Sequence, residues 1–144
     1  MDNRYQVYKQ IDVNTTNRGK IVVMLFSGAI TFLNKAKMYM EKKDFENKGK
    51  YIVKAQDIVE ELNISLDLEK GQEIAKNLKS IYLFVDRHLT QANIENEPQK
   101  IDNVLKILER LKSAFEEILH KPEFSEAQLI NKTEQTQNCI KRFV

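Results

Sequence analysis

Apolar residues recur at helical spacing through four successive long segments of this chain, and almost nothing interrupts them. Its 144 residues include only 4 glycines and 2 prolines, the residues that break helices. The first segment, about residues 18 to 42, carries two adjacent apolar stripes. One is Ile21, Leu25, Gly28, Phe32 and Tyr39; the other is Val22, Phe26, Ala29, Leu33, Ala36 and Met40. A surface helix needs a single stripe, so this helix is expected to lie centrally or to leave part of its face open as a groove. The second segment, about 45 to 68, follows Asp44 as N-cap and uses Phe45, Ile52, Ala55, Val59, Leu62 and Leu66. Gly71 marks the boundary to the third, about 72 to 94. Pro98 suits the first turn of the fourth, about 99 to 120. Segments of about 22 to 25 residues extend roughly 33 to 38 Å. Equal lengths and short connections predict an all-α fold, an antiparallel up-down four-helix bundle spanning residues 1–120. Residues 121–144 form a C-terminal extension. There Phe124, Ile130, Ile140 and Phe143 surround a polar stretch from Asn131 to Asn138, expected to be a marginal helix or a mobile arm.

Charge narrows the partners. The net charge is +2, from 23 basic and 21 acidic residues. Opposite signs alternate at Lys43-Asp44, Glu69-Lys70 and Glu109-Arg110, as on solvated helix faces. That is not the one-sided basic excess of a nucleic-acid binder. The longest strongly apolar run, Ile21 to Phe26, falls short of the roughly 20 residues of a membrane span and of a signal h-region. The reading is a cytoplasmic protein with no stable membrane insertion. The single cysteine, Cys139, has no intramolecular disulfide partner.

Chemistry-bearing constellations are missing. Glu117-Ile118-Leu119-His120 has the Glu-x-x-His spacing that helical di-metal sites use twice. The other histidine, His88, has no glutamate three residues before it. His120 is more simply a cation-capable group at a helix C-terminus. Cys139 has no histidine nearby in sequence to serve as a base, and the glycines are too isolated for a phosphate loop. No catalytic residue, metal or cofactor is therefore expected, and the chain is read as a binding protein rather than an enzyme. Gly28 inside a helix costs about 1 kcal/mol relative to alanine. Its use is a tight helix–helix contact or the close approach of a ligand's backbone. Tyr5 and Tyr8 either pack a ring into the core or flank an apolar groove. Gln56 and Asn77 are exposed, satisfied within the fold, or bonded to a partner's backbone.

Read in order, several pieces resemble the flagellar secretion chaperone FliS family. They are Tyr5-x-x-Tyr8, Val13-Asn14-Thr15, Met24-Leu25-Phe26-Ser27-Gly28-Ala29, Ala36, Lys54-Ala55-Gln56-Asp57-Ile58, Leu62 and Leu66-Asp67. Gly71-x-Glu73-Ile74-Ala75-x-Asn77-Leu78, Tyr82, Ala92-Asn93 and Leu111-x-x-x-Phe115 follow. The chain departs from the family pattern at a few places. Asn17-Arg18 stands where a Ser-Pro pair is frequent, and Phe26 and Ser27 where a tyrosine and an acidic residue are common. Gln72 replaces a frequent second glycine, and Phe115 a usual tryptophan. The resemblance implies a helical bundle without enzymatic activity. It also implies binding of the disordered C-terminal segment of flagellin, which is kept from polymerising and delivered to a component of the flagellar export gate. The candidate flagellin contacts are Tyr5, Tyr8, Met24, Leu25, Gly28, Gln56, Ile58, Asn77, Tyr82 and Asn93. The alternative is a helical adaptor with a partner other than flagellin.

Overall fold

The computed structural model describes residues 15–120 and 126–143, so Tyr5 and Tyr8 lie outside the described residues. The fold is all-α, with five helices and no strand among the described residues. They are α1 (Thr15–Glu41), α2 (Phe45–Ile64), α3 (Leu68–Glu95), α4 (Pro98–His120) and α5 (Glu126–Ile140), with a closing 3-10 turn at Lys141–Phe143. α1 packs against α2 and α4, and α3 also packs against α2 and α4. α5 lies against α3 and α4.

The two stripes of α1 have different fates. Phe26, Ala29, Leu33, Ala36 and Met40 are buried in the core; a fully buried large apolar side chain contributes about 1.5–3 kcal/mol. The second stripe is half-buried along α2. Phe32 and Tyr39 meet Tyr51 there at ring-centroid distances of 5.9 and 5.6 Å. The Lys54 ammonium lies 5.2 Å from the Tyr51 centroid and 5.5 Å from that of Phe32, within cation–π range. A Cβ at Gly28 would stand 3.2 Å from Ile58 Cδ1, so the missing side chain permits a close α1–α2 approach. Arg18–Glu41 is long and apolar enough, by length and composition, to cross a membrane, which the short run Ile21–Phe26 does not reveal. In this fold its buried stripe faces protein.

The caps explain the boundaries. Asp44 opens α2, as expected, accepting from the Asn47 backbone N–H at 3.2 Å and from Asn47 Nδ2 at 2.8 Å. Those bonds hold its carboxyl below the usual carboxylate range. Pro98 begins α4. The α2–α3 boundary differs from the one expected at Gly71. α2 stops at Ile64, and Asp67 caps α3 by accepting from the N–H groups of Glu69 and Lys70, both at 3.1 Å. The break lies inside α3 at Gln72, with φ 44° and ψ −117°. Gly71 answers a different demand: a Cβ there would stand 2.8 Å from the Ala75 Cβ.

Adjacent substitutions should therefore act with opposite sign. Gln72→Gly relieves a backbone conformation that glycine adopts freely. Set against the added freedom of the unfolded chain, it should raise stability by about 1 kcal/mol. Gly71→Ala should lower stability. Urea denaturation of both variants reads the difference, and a destabilised Gln72→Gly would contradict the strain.

Candidate functional site

The two ends of the α2–α3 link frame a cleft of about 590 Å³, completed by the start of α1 and the end of α4. Its apolar lining includes Val22 from α1, Leu62 and Leu66 from α2 and the link, Ile74, Leu78 and Tyr82 from α3, and Phe115 from α4. Arg18, Ser65, Asp67 and Lys70 stand at its polar parts. The corner holds itself. Ser65 Oγ donates to the Leu62 carbonyl at 2.8 Å, and the Gly71 N–H donates to the Asp67 carbonyl at 2.7 Å. Residues on both sides of the Gln72 break, Gly71 and Ile74, line the space. Val22, Leu66, Ile74 and Phe115 are half-buried; Leu62, Leu78 and Tyr82 are buried behind them. This arrangement can hold apolar side chains of a peptide while its polar side faces water. It brings together no nucleophile–base pair, and no group of three or more His, Cys, Asp or Glu able to hold a metal occurs among the described residues.

The sequence-predicted contacts do not converge on one place. Tyr82 lines the cleft and also a smaller one of about 110 Å³ between α2 and α3, with Val59, Leu83 and Asp86. Met24 is 70% exposed, and Leu25 is half-buried next to it on α1. Gly28 faces the Ile58 side chain in the α1–α2 seam, and the Ile58 Cδ1 would lie 3.2 Å from a Cβ at Gly28. Gln56 is engaged across the α2–α3 seam, its Nε2 donating to the Asp86 carbonyl at 3.2 Å, Asp86 Oδ1 at 3.1 Å and Thr90 Oγ1 at 3.0 Å. Asn77 is buried, and its Nδ2 donates to Thr133 Oγ1 of α5 at 3.0 Å. Asn93 accepts from the buried Lys48 ammonium.

The cleft residues missed as contacts, Val22, Leu66, Ile74, Leu78 and Phe115, all fit helical apolar repeats and read as core. The neighbouring Gly71 was the available signal for an opening. Two departures from the family pattern also prove to be one contact: the rings of Phe26 and Phe115 lie 5.7 Å apart.

Comparison with known proteins follows the same lines. The family described as flagellar protein FliS matches residues 1–122. The flagellar secretion chaperone FliS of Vibrio cholerae is 38% identical over 122 residues, 82% of this chain and 90% of that protein. Its namesake in Salmonella typhimurium is 36% identical over 123 residues, 85% of this chain and 91% of that protein. The Bacillus subtilis protein of the same name is 35% identical over 97 residues, 67% of this chain and 71% of that protein. With helices that carry the family's residues in order, and relatives matched over most of their length, this chain belongs to the FliS family of flagellar secretion chaperones.

Proposed function

We propose that this chain is a cytoplasmic export chaperone that holds the disordered C-terminal segment of a flagellin and hands it to a component of the flagellar export gate. In this reading α1 to α4 act as an antiparallel up-down four-helix bundle, without enzymatic activity, nucleic acid or membrane insertion. The observation that carries the proposal is the cleft at the α2–α3 corner. It is apolar and half-open, and residues of the family motifs (Leu62, Leu66, Gly71, Ile74, Leu78, Tyr82 and Phe115) line it. An amphipathic segment would lay its apolar side there. Ordering a disordered chain opposes binding, so useful affinity needs a surface larger than one cleft. The exposed Met24 and the α2–α3 seam around Gln56 extend that surface. Tyr5 and Tyr8 are assigned to the delivery step on the family resemblance.

The test is a calorimetric titration with the C-terminal segment of flagellin from the same organism. We expect saturable one-to-one binding with a negative heat-capacity change. Leu66→Glu and Ile74→Glu, at half-buried rim positions, should weaken binding at least tenfold, about 1.4 kcal/mol, while the chain stays folded. Unchanged affinity in both variants would remove the cleft from the site. No heat at tens of micromolar would leave a helical adaptor with a different partner.

A further inference from the structure

The first turn of α3 is held in a position that its own residues resist. Gln72 sits at φ 44° and ψ −117°, which glycine adopts freely and other residues at a cost. Gly71 is pressed so close to the following turn that a Cβ there would stand 2.8 Å from the Ala75 Cβ. In an unbroken helix, Cβ atoms four residues apart are about 5–6 Å from each other, so the fold-back at Gln72 creates that contact. Leu68 is the third sign. It is 48% exposed, yet in an unbroken helix positions 68, 75 and 82 share one face. Ala75 and Tyr82, on that face, are buried and line the corner cleft. The break turns Leu68 out of the apolar stripe to which its spacing assigns it.

The turn is built to move as one piece. Asp67, Leu68, Glu69 and Lys70 are all exposed, so it contributes no buried side chain to the core. The Asp67 carboxylate accepts from the Glu69 and Lys70 N–H groups at 3.1 Å, and the Asp67 carbonyl from the Gly71 N–H at 2.7 Å. Cap and turn keep these bonds wherever the turn goes. Lys70 and Gly71 stand before the break and Ile74 and Leu78 after it, and all four line the cleft. Gln72 itself does not line it. A rotation at Gln72 therefore reshapes the cleft wall while its own side chain stays clear of the contents. Strained backbone of this kind gathers at ligand clamps and switch regions.

Resting on the reading of the corner cleft as the docking place of a flagellin segment, we propose that Leu68–Gly71 is a lid on that cleft, with Gln72 as its hinge and positioning residue. When an apolar stretch of the segment fills the cleft, Gln72 returns to helical φ and ψ. α3 then runs unbroken from Leu68, and Leu68 joins Ala75 and Tyr82 in covering the bound side chains. Strain released at Gln72 and at the Gly71–Ala75 contact supplies the differential free energy that a ligand needs to shift a conformation. Burial of Leu68 adds to it. Over an empty cleft a closed lid would have no side chains to pack on, which leaves the open, strained arrangement as the free state.

The experiment pairs calorimetric titration of the full chain, using the C-terminal segment of flagellin from the same organism, with urea denaturation of the free protein. Gln72→Gly relieves the open arrangement alone, so it should stabilise the free chain and weaken binding about fivefold or more. Gln72→Ala keeps a Cβ and the strain, and should bind as the unmodified chain does. Gly71→Ala penalises the open arrangement alone, so it should destabilise the free chain and tighten binding about fivefold. Leu68→Ser, at a position exposed in the free chain, should leave stability unchanged and weaken binding about tenfold. A rigid wall would instead leave affinity untouched by Gln72→Gly, which lies off the lining. Unchanged or tighter binding by Gln72→Gly, in a chain that still loses affinity with Leu66→Glu, would overturn the lid and keep the cleft, even if Gly71→Ala failed to fold. Equal weakening by Gln72→Ala, or unchanged affinity of Leu68→Ser, would overturn the lid as well. No heat with the unmodified chain would overturn the lid and the docking reading together.

Discussion

Phe26→Ala should lower the unfolding free energy by about 3–5 kcal/mol, a large part of the 5–15 kcal/mol typical of a domain. Phe26 is fully buried. Its ring packs on Phe115 at 5.7 Å, tilted by 35°, and so joins α1 to α4 at the base of the corner cleft. Alanine would remove the ring and leave a hole that helices held at both ends cannot close. Phe115→Ala should lose less, because Phe115 is half-buried. The double variant should show a coupling of about 0.5–1.5 kcal/mol, the usual range for an aromatic pair. Urea denaturation measures all three, and an unchanged slope would show that the unfolded state is not involved. A loss below about 1 kcal/mol for Phe26→Ala would mean that the seam relaxes, contrary to the close packing expected of a core.

That contact shows how far the amino-acid order could be read. The stripe from Phe26 to Met40 was legible as a helix face, because spacing alone puts those residues on one side. Its contact with Phe115 was not, since periodicity tells which face is apolar and not which helices meet. The caps divide similarly. Asp44 and Pro98 read correctly from local chemistry. Asp67 was missed because Leu66 continues the apolar repeat of α2 and hides the stop. Gln72 was invisible: a non-glycine residue gives no sign of a positive φ, although glycine is frequent at that position in the family. In α5, Thr133 and Thr136 were counted as polar. A threonine can be buried when its methyl packs and its hydroxyl bonds back to its own helix, as both do.

The candidate site was legible as a set of residue types rather than as a place. Leu62, Leu66, Gly71, Ile74, Leu78, Tyr82 and Phe115 were recognised by collinear spacing, yet they come from different elements and meet through the α2–α3 corner. Polar residues inside apolar repeats were the more tempting choice, because a buried amide needs a partner. Asn77 and Asn93 have theirs within the chain, and so does the half-buried Gln56. Partners within the chain leave the strength of any outside contact to be measured by titration.

Lys48→Met should destabilise the fold by about 2 kcal/mol. Lys48 is 5% exposed, and its ammonium donates to the Asn93 carbonyl at 2.8 Å and to Asn93 Oδ1 at 2.6 Å. The Phe45 ring centroid lies 5.6 Å from the same ammonium. Asn93 stands in the last turn of α3, where carbonyls lack helical partners and a cation is favoured by the helix dipole. Methionine keeps the stem and removes the donor, so the loss measures a carbonyl left unpaired, about 1–3 kcal/mol. Lys48→Arg should not rescue it fully, because a planar guanidinium does not fit a site shaped for a compact ammonium. The pH dependence supplies a second, independent reading. Burial lowers the Lys48 pKa below 10.5. Between the lowered value and 10.5 the unfolded chain holds a proton that the folded chain has released, so stability from this group rises with pH across that window. The advantage of the native chain over Lys48→Met should widen as pH climbs through it. A gap that stays constant with pH would mean that Lys48 is solvated, and a stability loss under 0.5 kcal/mol would mean that water replaces it at the end of α3.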